Sequence, residues 1–139
     1  MQGLFLIEVF PALALAALEQ AFCRRLGAPK YNPANRKRFK QEDWQAVSAT
    51  IRGFGALRAL EQLEQWSAAI AAMASPRTAD QDMVDAVICG LIGLHWLAAP
   101  REHSVVIGNM DSGYMVAPAI NGVHERLIAA ATRREIPII

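Results

Sequence analysis

The amino-acid sequence predicts an α/β fold rich in helix, with one buried strand near the amino terminus and one hairpin near the carboxyl terminus. Three observations carry this expectation. Leu4-Phe5-Leu6-Ile7-Glu8-Val9-Phe10 is an apolar run of branched and aromatic side chains interrupted only by Glu8, the pattern of a strand covered on both faces of a mainly parallel sheet. Apolar residues recur at helical spacing through 42–73 and again through 78–98. Finally, Ser104 to Gly108 and Gly113 to Ala117 flank the turn-rich Asn109-Met110-Asp111-Ser112, which reads as a β-hairpin with Asp111 as a turn former.

The 139 residues suit a single domain spanning 1–139, and 53% hydrophobic against 19% charged residues is enough apolar material for a core and excludes disorder. A formal net charge of +1 leaves no overall field for a strongly charged partner, so any nucleic-acid surface has to be local. Cys23 and Cys89 have no CxxC-like spacing and read as free thiols of a reducing compartment. The apolar stretch from Met1 to Ala21 lacks a basic n-region, is interrupted by Glu8 and is split by Pro11, so it fits neither a secretory signal nor a membrane span. A cytoplasmic location is expected. Walker and Rossmann glycine loops, a GxSxG elbow and internal repeats are all missing from the sequence.

Pro11 ends the first strand and suits the first turn of a helix running from Ala12 to about Leu26, stopped by Gly27 and Pro29. Glu8 therefore lies near the carboxyl end of a strand, the edge where α/β sheets collect sites, although a carboxylate there can equally accept bonds from the next helix or face solvent. Residues 27–41 form a loop by their prolines, asparagines and glycine. No acid occurs between Glu19 and Glu42, while Arg24, Arg25, Lys30, Arg36, Lys37, Arg38 and Lys40 supply seven of the 14 basic residues. Tyr31, Phe39 and Trp44 are interleaved with them. Such a mixture suits holding phosphates while stacking on bases; the alternative is a solvated basic loop whose aromatics anchor it to the core.

The stripe of 42–73, which includes Trp66 as core, has a plausible break at Gly53 and Gly55. After the turn at 74–77, Thr78 and Gln81 read as a capping box that opens a helix running to about Ala98. Asp82 and Asp85 share one face of its second turn, and that face continues through Cys89, Gly93 and Trp96, with Ala86 and Gly90 beside it. Small side chains there permit a close neighbour. Met83, Val84, Val87, Ile88, Leu91, Ile92 and Leu94 make the helix apolar almost all round and predict that it is buried. A buried carboxylate is costly without a counter-charge. The helix macrodipole accounts for Asp80 and in part for Asp82, but not for Asp85, which is left to pair with an arginine or to hold a metal. A last helix covers about Val123 to Arg134, followed by an apolar tail at 136–139. His95, His103 and His124 have no partner at ligand spacing.

Four segments together resemble an uncharacterised bacterial family of predicted nucleases with a ribonuclease H-like fold: Ile7-Glu8-Val9-Phe10-Pro11-Ala12; Tyr31-Asn32-Pro33-Ala34-Asn35-Arg36 with Trp44; Asp82-Met83-Val84-Asp85-Ala86 running into Cys89; and Gly108 through Gly113-Tyr114-Met115-Val116-Ala117-Pro118. The resemblance covers nearly the whole chain. The Asp-x-x-Asp-Ala motif at a helix start is also similar to the last acidic motif of Holliday-junction resolvases, where it helps hold divalent metal. The resemblance implies a partial ribonuclease H-like fold and hydrolysis of phosphodiesters assisted by two Mg²⁺ or Mn²⁺ ions. It makes Asp82 and Asp85 metal ligands, lets Glu8 ligate metal or orient water, and has the basic loop hold the substrate backbone.

Family domains open with an Asp-bearing strand in a glycine-rich context and a second acidic strand ahead of the Glu-Val-Phe-Pro motif. This chain starts at that motif and so resembles the carboxyl-terminal part of the domain, with weak or no activity expected of it alone. A strand at 4–10 without neighbours is then expected to pair with another copy in a homo-oligomer. The alternative is a non-catalytic module for nucleic-acid binding or oligomerisation that keeps the acidic motif as a remnant.

Overall fold

Helix formation starts where the sequence places it, at Pro11, whose fixed φ and missing N–H suit the first helical position. The computed structural model describes residues 6–23, 28–120 and 122–139, the side chains of Gln20 and Ala21 excepted. Helix α1, Pro11–Leu18, buries Ala14, Leu15 and Ala17. Glu19 is extended and splits the expected long helix, so that a short α2, Gln20–Cys23, delivers Phe22 to the main core and Cys23 to a satellite cluster with Ala17 and Val123.

The stripe of 42–73 becomes two helices, α3 (Gln41–Leu57) and α4 (Glu61–Ala71). The break falls at 58–60 and not at the glycines. Ala59 takes a positive φ of 55°, and the Gly55 carbonyl accepts the N–H groups of both Arg58 and Leu60. Gly55 serves the packing instead. A Cβ there would lie 3.2 Å from Glu64 Cγ and 3.4 Å from the Leu60 carbonyl, so its hydrogen lets α4 pack closely on α3. Between the two helices Trp44 is fully buried, and its indole N–H donates to the Ile70 carbonyl at 2.8 Å.

Helix α5, Thr78–Ala98, matches its expected bounds, but not by the expected cap. Arg77 is the N-cap, and the Asp80 carboxylate accepts its backbone N–H at 2.7 Å, filling the role expected of Thr78 and Gln81. That N–H bond, ahead of the nearby Arg77 side chain, holds the Asp80 carboxyl below the usual range. Val84, Ile88, Leu91 and Ile92 point into the core shared with Leu15, Val47, Ile51 and Ile70. The helix is not buried all round. Met83, Ala86, Gly90, Leu94 and Leu97 form an exposed stripe, and apart from the adjoining residues and backbone of α5 no described atom lies within 4 Å of where a Cβ at Gly90 or Gly93 would be.

The hairpin forms as predicted, from β1 (Ser104–Asn109) and β2 (Gly113–Pro118), antiparallel with Val106 opposite Val116. In its turn, the Asn109 side-chain oxygen accepts the N–H groups of Asp111 and Ser112. Gly108 needs its glycine. Its φ is +103°, and a Cβ would stand 2.3 Å from the Gly113 carbonyl.

Short extended segments flank both edges of this hairpin. Val9 bridges Val116 in parallel, with the Val116 N–H donating to the Glu8 carbonyl at 2.8 Å; the tail pairs with β1 through Ile138 opposite Ile107. The described part of the expected strand, residues 6–10, is therefore not covered on both faces. Residues 1–5 lie outside the described residues, Leu6 is 89% and Phe10 55% exposed, and only the half-buried Val9 packs on the main core.

Helix α6, Val123–Thr132, ends two residues before the expected Arg134 and closes the satellite cluster with Val123 and Leu127. The result is a helix-rich chain with a small antiparallel sheet, compatible with the α/β class. Among the described residues no helix is long and apolar enough to cross a membrane.

Candidate functional site

The second turn of α5 places Asp82 in solvent and Asp85 half-buried on the same face. Among the described residues no arginine pairs with Asp85. Its Oδ1 accepts the Tyr31 hydroxyl at 2.6 Å, and its Oδ2 accepts the Gln81 carboxamide at 3.0 Å from one turn back. Two neutral donors therefore hold the carboxylate where a cation was expected, the shorter bond at a length typical of charge-assisted ones. The arrangement also suits Tyr31, whose ring belongs to the main core and whose hydroxyl would otherwise be stranded. Burial first, and then the Asp85 carboxylate, push the Tyr31 phenol well above its ordinary value. Burial and Asp85 likewise raise the Cys89 thiol, which keeps it a thiol and a poor nucleophile or metal ligand.

Tyr31 belongs to the basic loop, so the loop and the acidic face are tied together. Further bonds close the neck. The Lys40 N–H donates to the Lys30 carbonyl at 2.8 Å, and the Lys30 N–H donates to Oδ2 of the buried Asp43 at 2.6 Å. Within the loop the Asn35 carbonyl accepts the N–H groups of Arg38 and Phe39 at 2.9 and 2.8 Å, and Asn32 Oδ1 accepts that of Ala34 at 2.9 Å. Chain ends held this close with internal turns make a compact Ω-like loop.

Its cations point outward. Lys30, Arg36, Lys37, Arg38 and Lys40 are all exposed, and none of them forms an ion pair among the described residues. Arg24 and Arg25 lie outside the described residues. A groove of about 350 Å³ runs along the loop, lined by Lys30, Asn32, Asn35, Arg38 and Phe39 over Ala28 and Pro29.

Tyr31 and Trp44 are 4% and 0% exposed and anchor the chain to the core, so neither can stack on a base. Phe39 is half-buried, packs on the main core and still lines the groove.

No protein-family model, curated protein or solved structure matches this chain.

Glu8 does not join the carboxylates of α5. It is exposed on the segment beside β2, where it lines a separate groove of about 440 Å³ with Leu6, Ile7, Met110, Gly113 and Tyr114. Among the described residues no three His, Cys, Asp or Glu side chains gather in a way that could hold a metal ion. A two-ion centre needs several converging oxygen ligands. Asp82 and Asp85 supply two carboxylates, one of them already accepting two hydrogen bonds, so the described residues do not fit such a centre. Buried His95 is bonded through Nε2 to the His103 carbonyl, which suits a structural part for it.

Sequence reasoning missed Gln81 and Tyr31 as the partners of Asp85. The spacing of Gln81 and Asp85, i and i+4 on one helix face, was a usable signal for the first. The second had none, because Tyr31 stands 54 positions away on a loop.

Proposed function

We propose that this chain forms part of the working surface of a divalent-metal-dependent nuclease of ribonuclease H-like type. It contributes Asp82 and Asp85 as an incomplete acidic site and the loop at 28–40 as the side that holds the substrate, and by itself it hydrolyses phosphodiesters weakly or not at all. The observation that supports this most is the bond from the Tyr31 hydroxyl to Asp85. It fastens a loop of exposed cations to the helix that carries the two carboxylates, and a phosphodiesterase needs phosphate-holding cations beside its acidic residues. Mg²⁺ or Mn²⁺ is the cofactor this reading implies. Two carboxylates can share one ion loosely, and loose geometry sacrifices most of the transition-state stabilisation.

The test is incubation of the purified chain with single-stranded DNA, duplex DNA, RNA and a four-way junction in Mn²⁺, beside Asp85→Asn. Little or no cleavage is expected. Robust cleavage that disappears in the variant contradicts incompleteness and shows a site assembled by other means.

A second reading is a non-catalytic module that binds nucleic acid or self-associates. It is favoured by the lack of a third gathered carboxylate among the described residues and by the single bridge of Val9 to β2, the other side of the Val9 segment having no strand partner among the described residues. A monodisperse monomer in light scattering at roughly tens of micromolar, a concentration that reveals weak association, counts against self-association.

A further inference from the structure

We infer that the groove of the basic loop binds single-stranded nucleic acid, with backbone phosphate held by Lys30 and Arg38 and a base laid against Phe39. The inference rests on reading the loop as the substrate-holding side and goes further by naming the strand state and the contacts.

Four features of the loop lead there. Its cations are exposed and without ion pairs among the described residues, so binding displaces no described ion-pair partner. Its neck is fixed by three bonds of 2.6–2.8 Å, to Asp85, to Asp43 and across from Lys40 to Lys30, which lowers the cost of ordering it on binding. The groove mixes two cations, two carboxamides and one ring. Asn35 presents a side-chain amide, and Asn32, whose Oδ1 is engaged by Ala34, keeps its NH₂ donors for a base edge. Last, its size suits a single base. About 350 Å³ lies at the small end of ligand pockets and is room for one unstacked base, which a single strand offers and a stacked duplex does not. A closed loop also offers no helix or strand for a major groove.

The experiment is fluorescence anisotropy in EDTA with labelled single-stranded DNA and RNA 12-mers, the matching duplex, and heparin as a polyanion without bases. Single strands should bind more tightly than duplex or heparin, with a linear log–log salt dependence that loses slope in Lys30→Ala/Arg38→Ala. Phe39→Leu keeps an apolar anchor for the core but removes the ring. It should weaken single-strand binding by about tenfold with the salt slope unchanged. Arg133→Ala/Arg134→Ala removes equal charge elsewhere and should bind like the parent. Thermal melts of each variant establish that the loop mutants are folded. Equal affinity for duplex or heparin, a Phe39→Leu variant that binds like the parent, or no salt-sensitive binding overturns the inference. Since the titrations exclude metal, such a failure leaves Asp82 and Asp85 untouched, and the nuclease reading stands or falls by the cleavage assay.

Discussion

Tyr31 is the side chain that fixes the surroundings of Asp85. Its hydroxyl bond to a carboxylate should be worth about 1.5–3 kcal/mol, as bonds to charged groups are, and its removal also leaves Oδ1 partly desolvated without a donor. Tyr31→Phe should therefore lower unfolding free energy by about that amount in urea titration, with an unchanged m value. The pH dependence has a definite sign. Folding raises the phenol pKa, so the folded state keeps a proton that the unfolded chain releases above about pH 10. Stability from this group is then fully present below about pH 10 and declines as pH rises beyond it, by up to about 1.4 kcal/mol per pH unit. Tyr31→Phe should decline less steeply there; parallel curves contradict the buried, bonded phenol. The sequence showed Tyr31 among basic residues and left stacking and anchoring open. Only its distant partner on α5 decides for anchoring, and no local pattern encodes that pairing.

Helices and the hairpin were the legible elements, because period and turn chemistry are local. The bounds of α5 follow from its apolar spacing, and the two hairpin strands from the turn-rich 109–112 between them, while their register is seen only in the structure. Less legible were features set by neighbours. Gly55 looked like a helix breaker and instead marks a close helix crossing, while the break itself sits at a non-glycine residue with positive φ. The apolar circumference of α5 suggested complete burial, yet its stripe through Met83, Gly90 and Leu97 stays exposed among the described residues. Two glycine substitutions separate these cases. Gly108→Ala forces a Cβ against the Gly113 carbonyl at a left-handed φ and should cost at least about 2 kcal/mol by chemical denaturation. Gly90→Ala meets open space in a helix interior and should stabilise by about 0.5–1 kcal/mol. A loss there instead shows that another surface covers this stripe in solution.

Taken together, the chain is a helical core around Trp44 and α5, with a small sheet beside it and a closed basic loop fastened by the Tyr31 to Asp85 bond. That Asp82 and Asp85 share one helix face and that cations crowd the loop was legible from spacing and composition. Their connection through Tyr31 was not, and the grouping with Glu8 expected from the resemblance is not formed by the described residues. The central proposal is that Asp82 and Asp85 form an incomplete acidic pair that still binds one divalent ion weakly. Electron paramagnetic resonance titration of Mn²⁺ tests it most directly, by counting free ion against added protein for the parent chain and for Asp85→Asn. One weakly bound Mn²⁺ per chain is predicted, lost in the variant while its fold is retained. Identical titrations for the two proteins, with no Asp85-dependent binding, contradict it.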